Sequence, residues 1–168
     1  LTTEYHAMNR GFDEFYGYIN MFHAHNYYPE FLVQNGVKKP LRNELFEDWK
    51  SKQTPEREGM GVAKIAVDYA PELIFNKALE FIESNQEEPF FLYYALNIPH
   101  ANNEGGRETR VGRNGMRSPQ FRSFSHEEWP IQEKGFAGII ETIDHQVGQI
   151  LELLEELGLD EQTAVFFS

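Results

Sequence analysis

Glu88-Pro89-Phe90-Phe91-Leu92-Tyr93-Tyr94-Ala95-Leu96-Asn97-Ile98-Pro99-His100 is the stretch on which the fold turns. Pro89 restarts the chain, and seven apolar or aromatic residues follow without a polar break. A continuous run of this length predicts a strand covered on both faces. Working outward, Pro71 suits the first turn of a helix, where its missing N–H is no loss. Leu73, Ile74, Ala78, Phe81 and Ile82 then recur at helical spacing to about Asn85. On the far side, Phe136, Ile139, Ile140, Ile143, Val147, Ile150, Leu151, Leu154 and Leu157 form one apolar stripe, with Gly158 placed to stop the helix. A short loop leads into a second strand-like run over residues 164–167. The order helix, strand, loop, helix, strand implies an α/β sandwich with mostly parallel strands.

The rest of the chain sets bounds. Its 168 residues fit one domain, and 40% hydrophobic with 14% aromatic residues argues against disorder. Fifteen Lys and Arg against 27 Asp and Glu leave a net charge of −12, which repels a nucleic acid backbone. No apolar run approaches the ~20 residues needed to span a bilayer. With no cysteine, disulfides, thiolate catalysis and thiolate-bound metals are excluded within this sequence. Residues 1–60 are aromatic and irregular, with four rings between Arg10 and Tyr18 and Asn35-Gly36 marking a hairpin over residues 31–37. Residues 41–58 read as a polar surface loop with a helical turn. The sequence opens on Leu1 and closes on an apolar run, which reads as an internal piece of a longer protein.

Sites in open α/β sheets lie beyond the carboxyl ends of the strands. The strand ending at Leu96 delivers Asn97, Ile98, Pro99, His100, Ala101 and Asn102 to that edge, so His100 stands where a catalytic group is expected. An imidazole with a pKa of about 6.5 both gives and takes protons near neutral pH. The alternative is a loop histidine bonded to backbone. Residues 97–132 form a long loop, functional or disordered by its length, and carry Arg107, Arg110, Arg113, Arg117 and Arg122. Guanidinium groups bind oxyanions with directional hydrogen bonds, so the cluster suggests an anionic substrate; a solvated loop is the plainer reading. His23-Ala24-His25 puts two imidazoles on one side of an extended segment, for metal or anion binding or for packing among its aromatic neighbours. His6, His126 and His145 have no supporting context, and Asp144 reads as a structural partner. Gly59-Met60-Gly61 lacks the strand-to-helix setting of a dinucleotide loop.

Four blocks of this sequence resemble, in order, segments of the type I sulfatases. Arg10-Gly11-Phe12-Asp13-Glu14-Phe15-Tyr16-Gly17-Tyr18 is similar to their N-R-G-F-D-E-F-Y-G segment, and residues 88–94 with Pro99-His100 to their P-F-F-L-Y strand and P-H loop. Residues 135–159 resemble their M-D-x-x-V-G-x-I-L helix, and residues 163–168 the strand that runs into S-D-N-G. The resemblance implies an alkaline-phosphatase-like sandwich with a mostly parallel sheet, residues 1–168 being a partial catalytic domain with flanking sequence on both sides. It implies arylsulfatase-like hydrolysis of sulfate esters through a formylglycine nucleophile and a calcium ion. The nucleophile signature and the calcium ligands have no counterpart in this sequence, so no metal ligand is expected here, and this piece alone is expected to be inactive. His100 is expected to contact sulfate and protonate the departing alcohol oxygen. His25, His23, Asn102 and Arg107 are the expected substrate-binding residues. The expected partners are a sulfated small molecule or glycan and the remaining part of the sulfatase chain, with no nucleic acid, and the location is periplasmic or secreted. A phosphodiesterase or phosphonate monoester hydrolase of the same superfamily, or a non-catalytic binding module, are the alternatives.

Overall fold

In the computed structural model, which describes residues 6–168, the N-terminal aromatic segment feeds a three-stranded antiparallel sheet. Its strands are β1 (Tyr16–Gly17), β2 (Phe31–Gln34) and β3 (Val37–Pro40), in that spatial order. The hairpin forms as the sequence predicts, because Asn35 and Gly36 take φ of 49° and 81°, the left-handed pair that a tight turn demands. Gln34 consequently faces Val37, and Phe31 faces Pro40. Asn35 also accepts the Phe15 N–H at 2.8 Å through Oδ1, which ties the turn to the entry of β1. Helix α1 (Met21–Ala24) lies between β1 and β2, its first turn capped by Asn20. A second antiparallel pair, β4 (Glu44–Leu45) with β5 (Ala63–Ile65), brackets the short helix α2 (Glu47–Lys50).

Two long helices follow where periodicity places them. Helix α3 (Ala70–Ser84) has Pro71 in its first turn and buries Ala70, Pro71, Phe75, Ala78 and Ile82. Helix α4 (Ile131–Glu156) buries Gly135, Gly138, Ile139, Gln146 and Leu154, and Gly158 follows it with φ of 68°. Its apolar stripe is covered only in part, since Phe136, Ile140 and Leu151 are exposed. The core gathers Tyr27, Tyr28, Leu45, Tyr69, Ile98, Met116 and Ile139, joining the N-terminal segment, the loop after residue 97 and α4.

The parallel sheet expected from the apolar runs is not what the described residues form; both sheets are small and antiparallel. Residues 90–96 alternate in burial with period two, as an extended chain does, but pair with no strand. Phe90 packs edge-on against Phe81 and Tyr94 lies 6.1 Å from Phe75, both rings of α3. Tyr94 also donates to Gln146 Oε1 of α4 at 2.9 Å. The opposite face is open, with Phe91 73% and Tyr93 71% exposed. Residues 164–167 likewise form no strand, and Phe166 is 92% exposed. A ladder needs a neighbour for every second N–H and C=O, and no described segment offers one to either run.

The loop expected over residues 97–132 ends at residue 130, where α4 begins, and it is folded rather than irregular. It contains 3-10 turns at Gly105–Arg107, Thr109–Val111 and Arg122–Phe124, and it crosses α4 at close range. A β-carbon at Gly135 would sit 2.1 Å from the Met116 carbonyl oxygen, and one at Gly138 2.9 Å from that of Gln120. Only glycine lets the helix and loop backbones approach this closely.

Candidate active site

His100 sits at the end of the extended run, and its backbone is held from two sides. The buried Tyr27 hydroxyl donates to the His100 carbonyl at 2.7 Å, and the His100 N–H donates to Asn97 O at 3.2 Å. Burial pushes the Tyr27 phenol well above its ordinary value, so it stays a neutral donor. Asn97 in turn donates through Nδ2 to Ala24 O at 2.8 Å, which stitches this loop to the end of α1. The His100 ring is exposed, and its Nδ1 lies 2.8 Å from Ala101 O. A carbonyl oxygen only accepts, so Nδ1 carries the proton there and Nε2 is the nitrogen left for a ligand.

His25 lies flat against this ring. The two imidazoles are 4.9 Å apart, centroid to centroid, and within 8° of parallel. His25 Nδ1 is 3.2 Å from Glu104 Oε2, and the two side chains are 13% and 12% exposed. A sequence distance of 75 residues between the histidines collapses because Ala24 and Tyr27 are both bonded to the His100 loop. The structure therefore joins His25 and His100, and adds Glu104, which no sequence pattern marked. Four positions after a histidine on a loop, an acidic residue has no periodic face to share with it.

The other expected residues take different places. His23 is fully buried between the rings of Tyr18 and Phe31. Its Nε2 faces Phe31 O at 2.9 Å and its Nδ1 accepts from Ile19 N at 3.3 Å, so neither nitrogen is open to a substrate. Desolvation, the largest cause, lowers its pKa to about 4. The extended His-x-His geometry does not hold, because residues 21–24 are helical and turn the two rings to different surroundings. Asn102 is buried as well; it donates to Gly61 O and accepts from Gly105 N at 2.8 Å, bracing the loop that bears Glu104. Arg107 is exposed, on the 3-10 turn that follows Glu104.

The remaining arginines do not converge on one anion site. Arg110 lies over the Phe46 ring and bonds both Glu108 and Asp48. Arg117 donates to Ala63 O at 2.6 Å and faces the Tyr28 ring. Arg122 donates to Thr142 Oγ1 of α4 at 2.8 Å. Glu108 is the buried counterpart of this loop: hydrogen bonds from Arg110, then its backbone and Trp49 contacts, hold its carboxyl down to about 2.

Calcium takes about six to eight oxygen ligands, whereas this site offers two imidazoles and one carboxylate already bonded to His25. Among the described residues no three His, Asp or Glu side chains gather as a metal set. These residues do not fit a calcium site.

His100 thus stands exposed at the end of an extended apolar run that packs against both long helices. The family model for Sulfatase matches residues 2–168, and the chain belongs to the sulfatase family. Among individual proteins it is similar to the N-acetylgalactosamine-6-sulfatases. It is 28% identical over 172 residues to that of Mus musculus, covering 98% of this chain and 27% of that protein. The match to that of Homo sapiens is 27% identical over 171 residues, with the same coverage of both. The chain thus spans about a quarter of the length of the curated relatives it matches.

Proposed function

We propose that this chain is part of the catalytic domain of a sulfuric ester hydrolase, and that His100 works at the ester oxygen of a bound sulfate. One observation carries the assignment. The Nδ1 of an exposed imidazole is tied to Ala101 O, its backbone is bonded by Tyr27, and Nε2 is left for a ligand. In the reaction R–O–SO₃⁻ with water, the S–O bond to the alcohol breaks and the alcohol oxygen needs a proton. Protonated His100 gives that proton from Nε2 and recovers one from solvent. His25, stacked on the same ring, is the residue best placed to contact the substrate beside it. Arg107 is the one cluster arginine proposed to meet the anionic group, at the exposed turn next to Glu104.

The substrate class is a sulfate ester on a small molecule or glycan hydroxyl, in keeping with relatives whose name specifies a 6-sulfate of N-acetylgalactosamine. The family resemblance supports a formylglycine nucleophile and a calcium ion supplied by the rest of the enzyme, and an alkaline-phosphatase-like sheet in which residues 90–96 and 164–167 are strands. It also supports a periplasmic or secreted location. Among the described residues no helix is long and apolar enough to cross a membrane.

The test is leaving-group dependence in the full-length enzyme. His100→Ala and His100→Gln are expected to keep the fold and lower kcat by about 100-fold or more on sulfates of poorly acidic alcohols. The loss should shrink with nitrophenyl sulfate, whose departing oxygen needs little help. Turnover equal to wild type on both substrates removes His100 from the reaction.

A further inference from the structure

We infer that Glu104 is a positioning residue for the histidine pair, an inference that rests on the role proposed for His100. Glu104 reaches His25 across two separate segments of chain, with Oε2 3.2 Å from Nδ1. Both side chains are largely covered, so water competes poorly for the contact. An ionised carboxylate has no hydrogen to give, so Nδ1 of His25 carries the proton in this contact and Nε2 is left as the acceptor nitrogen. The same contact fixes the plane of the His25 ring. That plane matters because the His100 ring lies on it, 4.9 Å away and 8° from parallel.

The base of Glu104 is rigid. Its carbonyl accepts from Arg107 N at 3.1 Å. The next residue, Gly105, donates its N–H to the buried Asn102 side chain, and Asn102 N donates to Gly115 O at 2.8 Å. A β-carbon at Gly115 would lie 2.7 Å from Asn102 O, so the two arms of this loop are in backbone contact. The carboxylate is thus mounted on a braced turn and holds a histidine from the segment after α1. Without it the exposed His100 ring keeps its Ala101 contact but loses a fixed neighbour on one face. Removing the group that orients a metal-bound imidazole lowers metal affinity or activity about 10- to 100-fold, and a loss of that order is expected here.

The experiment uses the full-length enzyme and five variants: Glu104→Ala, Glu104→Gln, His25→Ala, the double variant His25→Ala/Glu104→Ala, and His100→Ala as the reference. Glutamine keeps an acceptor oxygen for Nδ1–H, so it is the conservative replacement. Glu104→Ala should lower kcat about 10- to 100-fold with KM changed by less than about threefold, and Glu104→Gln should restore most of it. The double variant should be no worse than His25→Ala alone, since Glu104 acts through His25. Losses that multiply in the double variant, or a Glu104→Gln as impaired as Glu104→Ala, overturn the inference. So does wild-type turnover in Glu104→Ala while His100→Ala is inactive; wild-type turnover in His100→Ala instead overturns the underlying role of His100. If Glu104→Ala does not fold, Glu104→Gln at wild-type kcat, or within about threefold of it, set against an impaired His25→Ala sustains the inference, and a larger loss overturns it.

Discussion

A β-carbon added at Gly59 would sit 2.3 Å from Cδ2 and 2.5 Å from Cγ of His23, and Gly59 has φ of +83°. Both the space and the backbone conformation therefore demand glycine here. Gly59→Ala should destabilise the protein by about 2 kcal/mol or more, read as a lower denaturant midpoint; an unchanged midpoint would show that the His23 ring can move. His23 also sets a pH dependence. Its folded pKa is about 4, lowered by desolvation, while the unfolded value is near the ordinary 6.5. Between these values the unfolded chain binds a proton that the folded chain refuses, so stability is full above pH 6.5 and falls as pH drops toward 4. The loss amounts to something on the order of 3 kcal/mol. Unfolding midpoints measured at pH 7, 6, 5 and 4.5 should fall less steeply in His23→Gln than in wild type; parallel slopes refute the assignment. This histidine and His25 look alike in sequence, two apart among aromatics. What separates them is burial and a helical turn, neither of which a short dipeptide repeat encodes. His100 was singled out in the sequence by its place after an apolar run, and the structure sets it exposed at the end of that extended run; its role is the one proposed above. Glu104 was not, because its partner lies 79 residues away.

Helix α4 and the loop that crosses it show how one element is shaped by another. Gly135 and Gly138 face the loop backbone, whereas a β-carbon at Gly148, on the same helix, would meet nothing within 4 Å. The three glycines are equivalent in helix propensity, each about 1 kcal/mol worse than alanine. Their substitutions should therefore diverge in sign. Gly148→Ala should stabilise by up to about 1 kcal/mol, while Gly138→Ala should destabilise by about 1–3 kcal/mol through overpacking against Gln120 and Phe121. Chemical denaturation of the three proteins side by side checks this, and stabilisation by Gly138→Ala would show that the loop lifts away without loss. Both long helices were legible because their apolar residues repeat every three or four positions and each has a terminal signal, Pro71 in one and Gly158 in the other. The hairpin was legible from Asn35-Gly36 alone. The turns of residues 97–132 were not, since they rest on single side chains such as Asn102, Glu108 and Asn114 closing backbone groups.

Across the whole molecule, polar and apolar surfaces are unevenly distributed. A net charge of −12 coexists with an exposed Phe91 and Tyr93 on one run and an exposed Val165, Phe166 and Phe167 on another. Both runs have strand composition, and residues 90–96 keep the two-residue alternation of an extended chain. The property they lack is a neighbour, and pairing is a non-local fact that a run of apolar residues implies without naming its partner. In the sheet proposed for the full-length enzyme, both runs are covered on both faces. Burial of a phenylalanine side chain is worth about 1.5–3 kcal/mol, and truncating one in a packed core costs about 3–5 kcal/mol. Phe166→Ala in the full-length protein should therefore lower stability by several kcal/mol, although the ring is 92% exposed among the described residues. Val37 is exposed too, but on the antiparallel hairpin whose strands are already paired, so Val37→Ala should stay within about 0.5 kcal/mol of wild type. Denaturant midpoints followed by tryptophan fluorescence distinguish the two sites. Equal, small effects of both substitutions would mean that residues 164–167 remain on the surface of the full-length protein and that the proposed parallel sheet does not include them.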